Sequence, residues 1–207
     1  MHPFLTRLGI RREVQEFFSP YYSADSSGHL VFHYGRYTET YGMAFHHIPS
    51  TENYWLAGTD LAFAREIFIC GSAMEAIAWL HIHYRAYNQT GNLLFISTGT
   101  RPCSEHFRWL KQWIKGKRIS LLFGNDLLGR VCDLKTAAAL RNQTAAVSLD
   151  NQKVAVTFRS KTFSCSRELF SLNAFEKQSE YRFHARTLKP KSANSWLDLV
   201  RYGTFNQ

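Results

Sequence analysis

The sequence predicts an α/β fold: a mostly parallel sheet flanked by helices and preceded by a small α+β module. Three observations carry that prediction. Glu66-Ile-Phe-Ile-Cys70, Leu93-Leu-Phe-Ile-Ser97 and Ile119-Ser-Leu-Leu-Phe123 are short apolar runs. Each leads into a small-residue turn, at Gly71-Ser72, Thr98-Gly99-Thr100 and Gly124-Asn125-Asp126, and then a helix-like segment. This is the pattern of βαβ units around a parallel sheet, in which ligands gather beyond the carboxyl ends of the strands.

Residues 1–61 read as the preceding module. Phe4-Leu5-x-x-Leu8 and Val14-x-x-Phe17-Phe18 have helical apolar spacing, with Gly9 as a stop and Pro20 closing the second helix. Leu30–Tyr34 and Tyr41–Ile48 are expected as strands joined by a polar turn. Residues 62–207 form the expected core. A helix is predicted over 73–87, with Ser72 as its cap and Glu75 returning to that cap in a capping box. A second follows Pro102, with Trp109, Leu110 and Trp113 facing inward. Lys153–Arg159 alternates like a strand and pairs with Lys161–Cys165 in a basic hairpin inserted near 150–175. Tyr181–Arg186 is expected to complete the sheet.

Bulk properties narrow the class. The 207 residues are 45% hydrophobic and 20% charged, as in ordinary globular proteins. No apolar run approaches a membrane span, and the first residues lack a signal core, so a cytoplasmic location is expected. Cys70, Cys103, Cys132 and Cys165 form no CxxC pair and read as free, mostly buried thiols. His46 and His47 alternate across a strand, and His81 and His83 diverge on a helix, so all four read as structural or surface residues. The net charge of +9 is uneven. Residues 1–61 hold four Lys or Arg against six Asp or Glu, whereas 62–141 hold eleven against five and 153–191 nine against three. Such an excess attracts a polyanion by counterion release.

The three runs resemble the Toprim domain of bacterial primases, topoisomerases and mobile-element proteins, a Rossmann-like fold. Gly71-Ser-Ala-Met-Glu-Ala-Ile-Ala78 is similar to the family's first motif, of the type Glu-Ser-Ala-Ile-Asp-Ala-Leu-Ser. Phe123-Gly-Asn-Asp-Leu-Leu-Gly-Arg130 is similar to its second, of the type Phe-Asp-Asn-Asp-x-x-Gly-Arg. Leu8-Gly-Ile-Arg-Arg-Glu13 and Gly28-His-Leu-Val-Phe32 resemble the segment preceding the core in DNA primases. Asn194-Ser-Trp-Leu-Asp-Leu-Val200 resembles a closing Lys-Asp-Trp-Asn-Asp-Leu-Leu segment. The resemblance implies a site where acidic residues hold divalent metal for phosphoryl transfer or strand cleavage. Here Gly71, Gly124 and Ser195 stand where three of those acids belong.

The resemblance therefore implies a degenerate site. No catalytic residue is expected, and no cofactor is required beyond one weak Mg²⁺ site. Asp126, Glu75 and Asp133 are the carboxylates left to serve it, and Mg²⁺ needs several convergent oxygens. Loss of carboxylates would make the groove less repulsive to DNA or RNA, and the expected partner is nucleic acid, DNA ahead of RNA. Arg101, Lys115, Lys117, Arg118, Arg130 and Lys135 are the expected contacts, with Arg130 at a helix start able to accept a phosphate. The leading expectation is a non-catalytic nucleic-acid-binding protein accessory to plasmid or mobile-element replication or processing. An active metal-dependent primase or nuclease and a protein-interaction scaffold in a replication or mobilisation complex are the alternatives.

Overall fold

The structure is a computed structural model describing residues 1–87, 89–150 and 152–203. Its centre is a five-stranded sheet. Strands β6 (Glu66–Cys70), β7 (Leu93–Gly99), β8 (Arg118–Leu121) and β12 (Arg186–Thr187) run parallel, and β5 (Ser50–Gly58) pairs antiparallel with β7. The order is β12-β8-β6-β7-β5. The chain passes from β6 to β7 on one side, then crosses back to place β8 on the other. The carboxyl ends of β6 and β8 thus flank a topological switch point, the customary ligand crevice of such sheets.

Side-chain alternation divides the sheet's two faces between two cores. Phe68, Cys70, Leu93 and Phe95 join one, and Ile67, Ile69, Leu94, Ile96 and Leu121 join the other. Both faces are covered, so every residue of β6 and β7 is buried. Helix α3 (Ala73–His83) covers the first face beside α1 (Pro3–Arg7), α2 (Arg12–Phe18) and α7 (Trp196–Tyr202). A second sheet, made of β1 (Ser23–Ala24), β2 (Leu30–Tyr34), β3 (Tyr37–Tyr41) and β4 (His46–His47), packs on the same core. The second face holds α4 (Glu105–Arg108), α5 (Leu127–Leu140), α6 (Leu172–Ser179) and an antiparallel meander. The meander strands are β9 (Ala145–Asp150), β10 (Lys153–Phe158) and β11 (Lys161–Ser166).

The α/β expectation holds, with several corrections of detail. Residues 1–61 share one hydrophobic cluster with the core, and β5 lies in the core sheet itself. The partner of β2 is Tyr37–Tyr41, entered by a turn at Gly35-Arg36, so the strand expected at 41–48 begins where the real one ends. The helix after Pro102 is only Glu105–Arg108, continuing as turns through Trp113. Trp113 is exposed, whereas Leu110 is buried. Helix α3 stops at His83. The 153–166 hairpin forms as expected and gains β9 as a third strand. Of the strand expected at 181–186 only its last residue is one, paired as Arg186 with Ser120.

Phe95 is fully buried and packs on Phe18, Phe68 and Trp79. Phe95→Ala is expected to lower unfolding free energy by about 3–5 kcal/mol. Leu149→Ala, at an exposed meander position, should change it by less than about 0.5 kcal/mol. Urea titration of both variants checks the pair.

Candidate functional site

The carboxyl end of β6 is occupied by the protein's own polar groups. Glu39 reaches it from β3 and is fully buried. Its Oε1 accepts from Ser72 Oγ at 2.7 Å and its Oε2 from Ala73 N at 2.9 Å, while Met74 N lies 3.3 Å from Oε1. The Tyr34 hydroxyl bridges Glu39 Oε2 at 2.5 Å and Ser97 Oγ at 2.7 Å. Tyr41 reaches Ser72 Oγ at 3.0 Å. A carboxylate at the start of α3 meets the unpaired N–H groups and the positive end of the helix dipole. Burial nevertheless raises the Glu39 pKa, against the pull of these four donors.

Glu75 corrects the capping-box expectation. Ser72 does cap α3, accepting from Met74 N at 3.1 Å. The Glu75 side chain instead crosses to α7, where Oε2 accepts from Trp196 N at 2.8 Å and Oε1 from Leu197 N at 3.2 Å. Ser195 caps the same helix from its own chain position, accepting from Asp198 N. Burial pushes the Glu75 carboxyl up to about 7, with Asp198 and Glu39 adding repulsion.

The turn after β8 is closed differently. Asp126 is exposed and caps α5, accepting from Gly129 N at 2.8 Å. Asp133 is buried and pairs with Lys189 at 2.6 Å. Lys189 Nζ also donates to Phe123 O and Gly124 O, both at 2.8 Å. An ammonium has three protons to give, and here it has three acceptors. Asp133 Oδ1 is left without a partner, and burial pushes this carboxyl up to about 7 despite Lys189. Asn125 N donates to Asn194 O at 2.7 Å, which lays the 189–194 segment across the turn.

The two glycines at the acidic positions of the resemblance differ physically. A Cβ at Gly71 would meet Gly99 O and the Phe123 ring at 3.5 Å, an ordinary contact. At Gly124 it would stand 2.8 Å from Asn194 O, which real Cβ atoms do not tolerate. Asp126, Glu75 and Asp133 are bound to the α5 start, the α7 start and Lys189 respectively. Among the described residues no three His, Cys, Asp or Glu side chains are grouped to hold a metal ion. The three carboxylates are thus held at separate places in the fold.

The expected nucleic-acid contacts separate to opposite ends of the sheet. Arg101 lies just past the carboxyl end of β7 and Lys135 on α5, both exposed. Arg130, in the first turn of α5, donates to Asn125 O at 3.2 Å, Glu168 O at 2.9 Å and Phe170 O at 3.3 Å. Its guanidinium is therefore engaged with backbone carbonyls. Lys115, Lys117 and Arg118 lie at the amino-terminal edge. Lys117 Nζ is held by Ala64 O at 2.6 Å, and Arg118 pairs with Glu66 at 3.4 Å. There, Arg65, Lys117 and Arg118 line a cleft of about 550 Å³. Lys111, Lys115, Lys117 and Arg141 line a second of about 640 Å³, and the two share Gly116 and Lys117. Buried Glu66 is the one carboxylate among the residues lining either.

Sequence reasoning missed Glu39 and Lys189. Glu39 had a signal: it shares one strand face with Tyr41, and an acid on a face that buries an aromatic needs donors. Lys189 sits in Thr187-Leu-Lys-Pro190, which carries no such pattern. Comparison with known proteins gives no relative: no family model, no curated protein and no solved structure matches the chain.

Two outcomes follow for stability. Glu75 has a folded pKa raised from 4.5 to about 7, so the protein holds that proton more tightly when folded. The stability this contributes is present in full below 4.5 and is lost as pH rises through about 7. Urea midpoints measured across that window should fall with rising pH, and fall less in Glu75→Gln. Lys189→Met leaves Asp133 buried and unpaired, an expected loss of about 3–5 kcal/mol. Adding Asp133→Leu to that variant should recover most of it, read from the same unfolding curves.

Proposed function

We propose that this chain is a non-catalytic nucleic-acid-binding protein on a Toprim-like scaffold, accessory to plasmid or mobile-element DNA replication or processing. The observation that carries the reading is the pair of adjoining clefts at the amino-terminal edge of the sheet. Six cations (Arg65, Lys111, Lys115, Lys117, Arg118 and Arg141) line them against one buried carboxylate. A phosphate backbone laid there gains from counterion release, and no exposed acid is among the described lining residues. Lys117 and Arg118 are held by hydrogen bonds, so less side-chain freedom is lost on binding.

The enzyme alternative has less support. Its three carboxylates each hold another part of the fold, and Asp126 is the one exposed to solvent. Two-metal phosphoryl transfer needs convergent oxygens on one pair of ions. The DNA-binding reading needs only the basic edge.

Fluorescence anisotropy with labelled single- and double-stranded DNA and RNA across a salt series tests the proposal. Affinity should fall steeply with salt and change little with Mg²⁺. Each phosphate contact removed, by Lys115→Ala or Arg65→Ala, should reduce the log–log salt slope by about 0.7–0.9. Arg101→Ala and Lys135→Ala, away from these clefts, should leave the slope unchanged. A salt-independent affinity contradicts the reading. So does Mg²⁺- or Mn²⁺-dependent turnover that Asp126→Asn abolishes, since asparagine keeps the helix cap while removing the charge.

A further inference from the structure

A groove of about 330 Å³ lies between α1, the turn joining β3 to β4 and the end of α7, apart from the basic clefts. Phe4, Leu8, Met43, Phe45 and Tyr202 line it. Met43 is 78% exposed, Phe45 50% and Tyr202 81%. Single exposed apolar residues are common on protein surfaces, whereas a cluster around one concavity marks a contact surface.

The floor of the groove is preformed. Gly42 N donates to Phe45 O at 2.9 Å, closing the turn. The Phe45 ring packs edge-on against His29 at 5.0 Å, and His46 stacks on Tyr41 at 5.8 Å. Gly42 makes this possible, since a Cβ there would stand 2.4 Å from the Phe45 ring. The Arg7 guanidinium contacts the Met43 thioether. Arg7 and Arg201 both line the groove, and no carboxylate is among its described lining residues.

We infer that this groove docks a short acidic segment of a partner protein. One large apolar side chain sits against Met43, Phe45 and Tyr202, and flanking carboxylates pair with Arg7 and Arg201. Charge complementarity selects the sign of the partner, and the adaptable thioether suits an inserted side chain. Nucleic acid would need flat, open aromatic faces for stacking. Leu8 and Met43 offer aliphatic and thioether surface instead, and the Phe45 ring is already held against His29, which leaves Tyr202 as the one widely exposed Phe or Tyr ring among the described lining residues.

The test is anisotropy of short fluorescein-labelled peptides titrated with the full chain. One peptide carries Asp and Glu around a Phe-Leu pair, a second has the same acids around Ser-Ser, and a third replaces the acids by Lys. The first should bind saturably, with the other two weaker by about tenfold or more. Met43→Glu and Gly42→Ala should each weaken the first peptide by a similar factor, and Arg7→Glu should weaken it and flatten its salt dependence. Circular dichroism and urea midpoints establish that the variants are folded. Equal affinity for the first two peptides, or unchanged affinity in Met43→Glu, overturns the inference. So does a labelled oligonucleotide that binds wild type and loses its affinity in Met43→Glu, which would make the groove a nucleic-acid surface.

Discussion

The Glu39 carboxylate is the interaction on which the arrangement of this protein depends. It leaves the amino-terminal sheet at β3 and ends at the first turn of α3, the helix that follows the central strand. Through Tyr34 and Ser97 it also reaches β7, so one buried group fixes the relative positions of two sheets and a helix. Hydrogen bonds to a charged group contribute about 1.5–3 kcal/mol each, roughly twice a neutral bond. A buried acid without those donors would instead be a large cost. The network must therefore form as a whole, which makes the start of α3 a rigid part of the fold.

The same logic extends outward from that point. Glu75 carries the connection from α3 to α7, and Lys189 carries it from Asp133 to the end of β8. Glu39, Glu75 and Lys189 each close a contact between distant parts of the chain. Polar chemistry that other α/β proteins present to a ligand is here turned toward the interior. At the opposite edge of the sheet, six cations surround the clefts that share Lys117.

Much of the fold was legible because short-range rules sufficed. β6 and β7 are centred on apolar runs, and doubly covered strands favour that composition. Ser72 and Asp126 cap helices as residues of their type do. β5 escaped notice because Ser50-Thr-Glu-Asn-Tyr carries polar groups on both faces, as an edge strand can. The site was less legible for a different reason. Whether Glu75 turns to its own helix or to α7 depends on a segment more than a hundred residues later, which sequence spacing does not encode. Arg130 looked free to bind phosphate because carbonyls from Glu168 and Phe170, brought close only by the fold, leave no trace in the local pattern.

The close approach of Asn194 O to Gly124 sets how reversible the present state of the crevice is. Position 71 has room for a Cβ, whereas position 124 lies under the 189–194 segment and has none. An acid gained at 71 could be accommodated by the existing backbone. An acid gained at 124 would have to lift that segment, breaking the Asn125–Asn194 bond and drawing Lys189 away from two carbonyls. The two positions are therefore unequal as evolutionary steps: one is a single substitution, and the other requires the chain's closing segment to be rebuilt first.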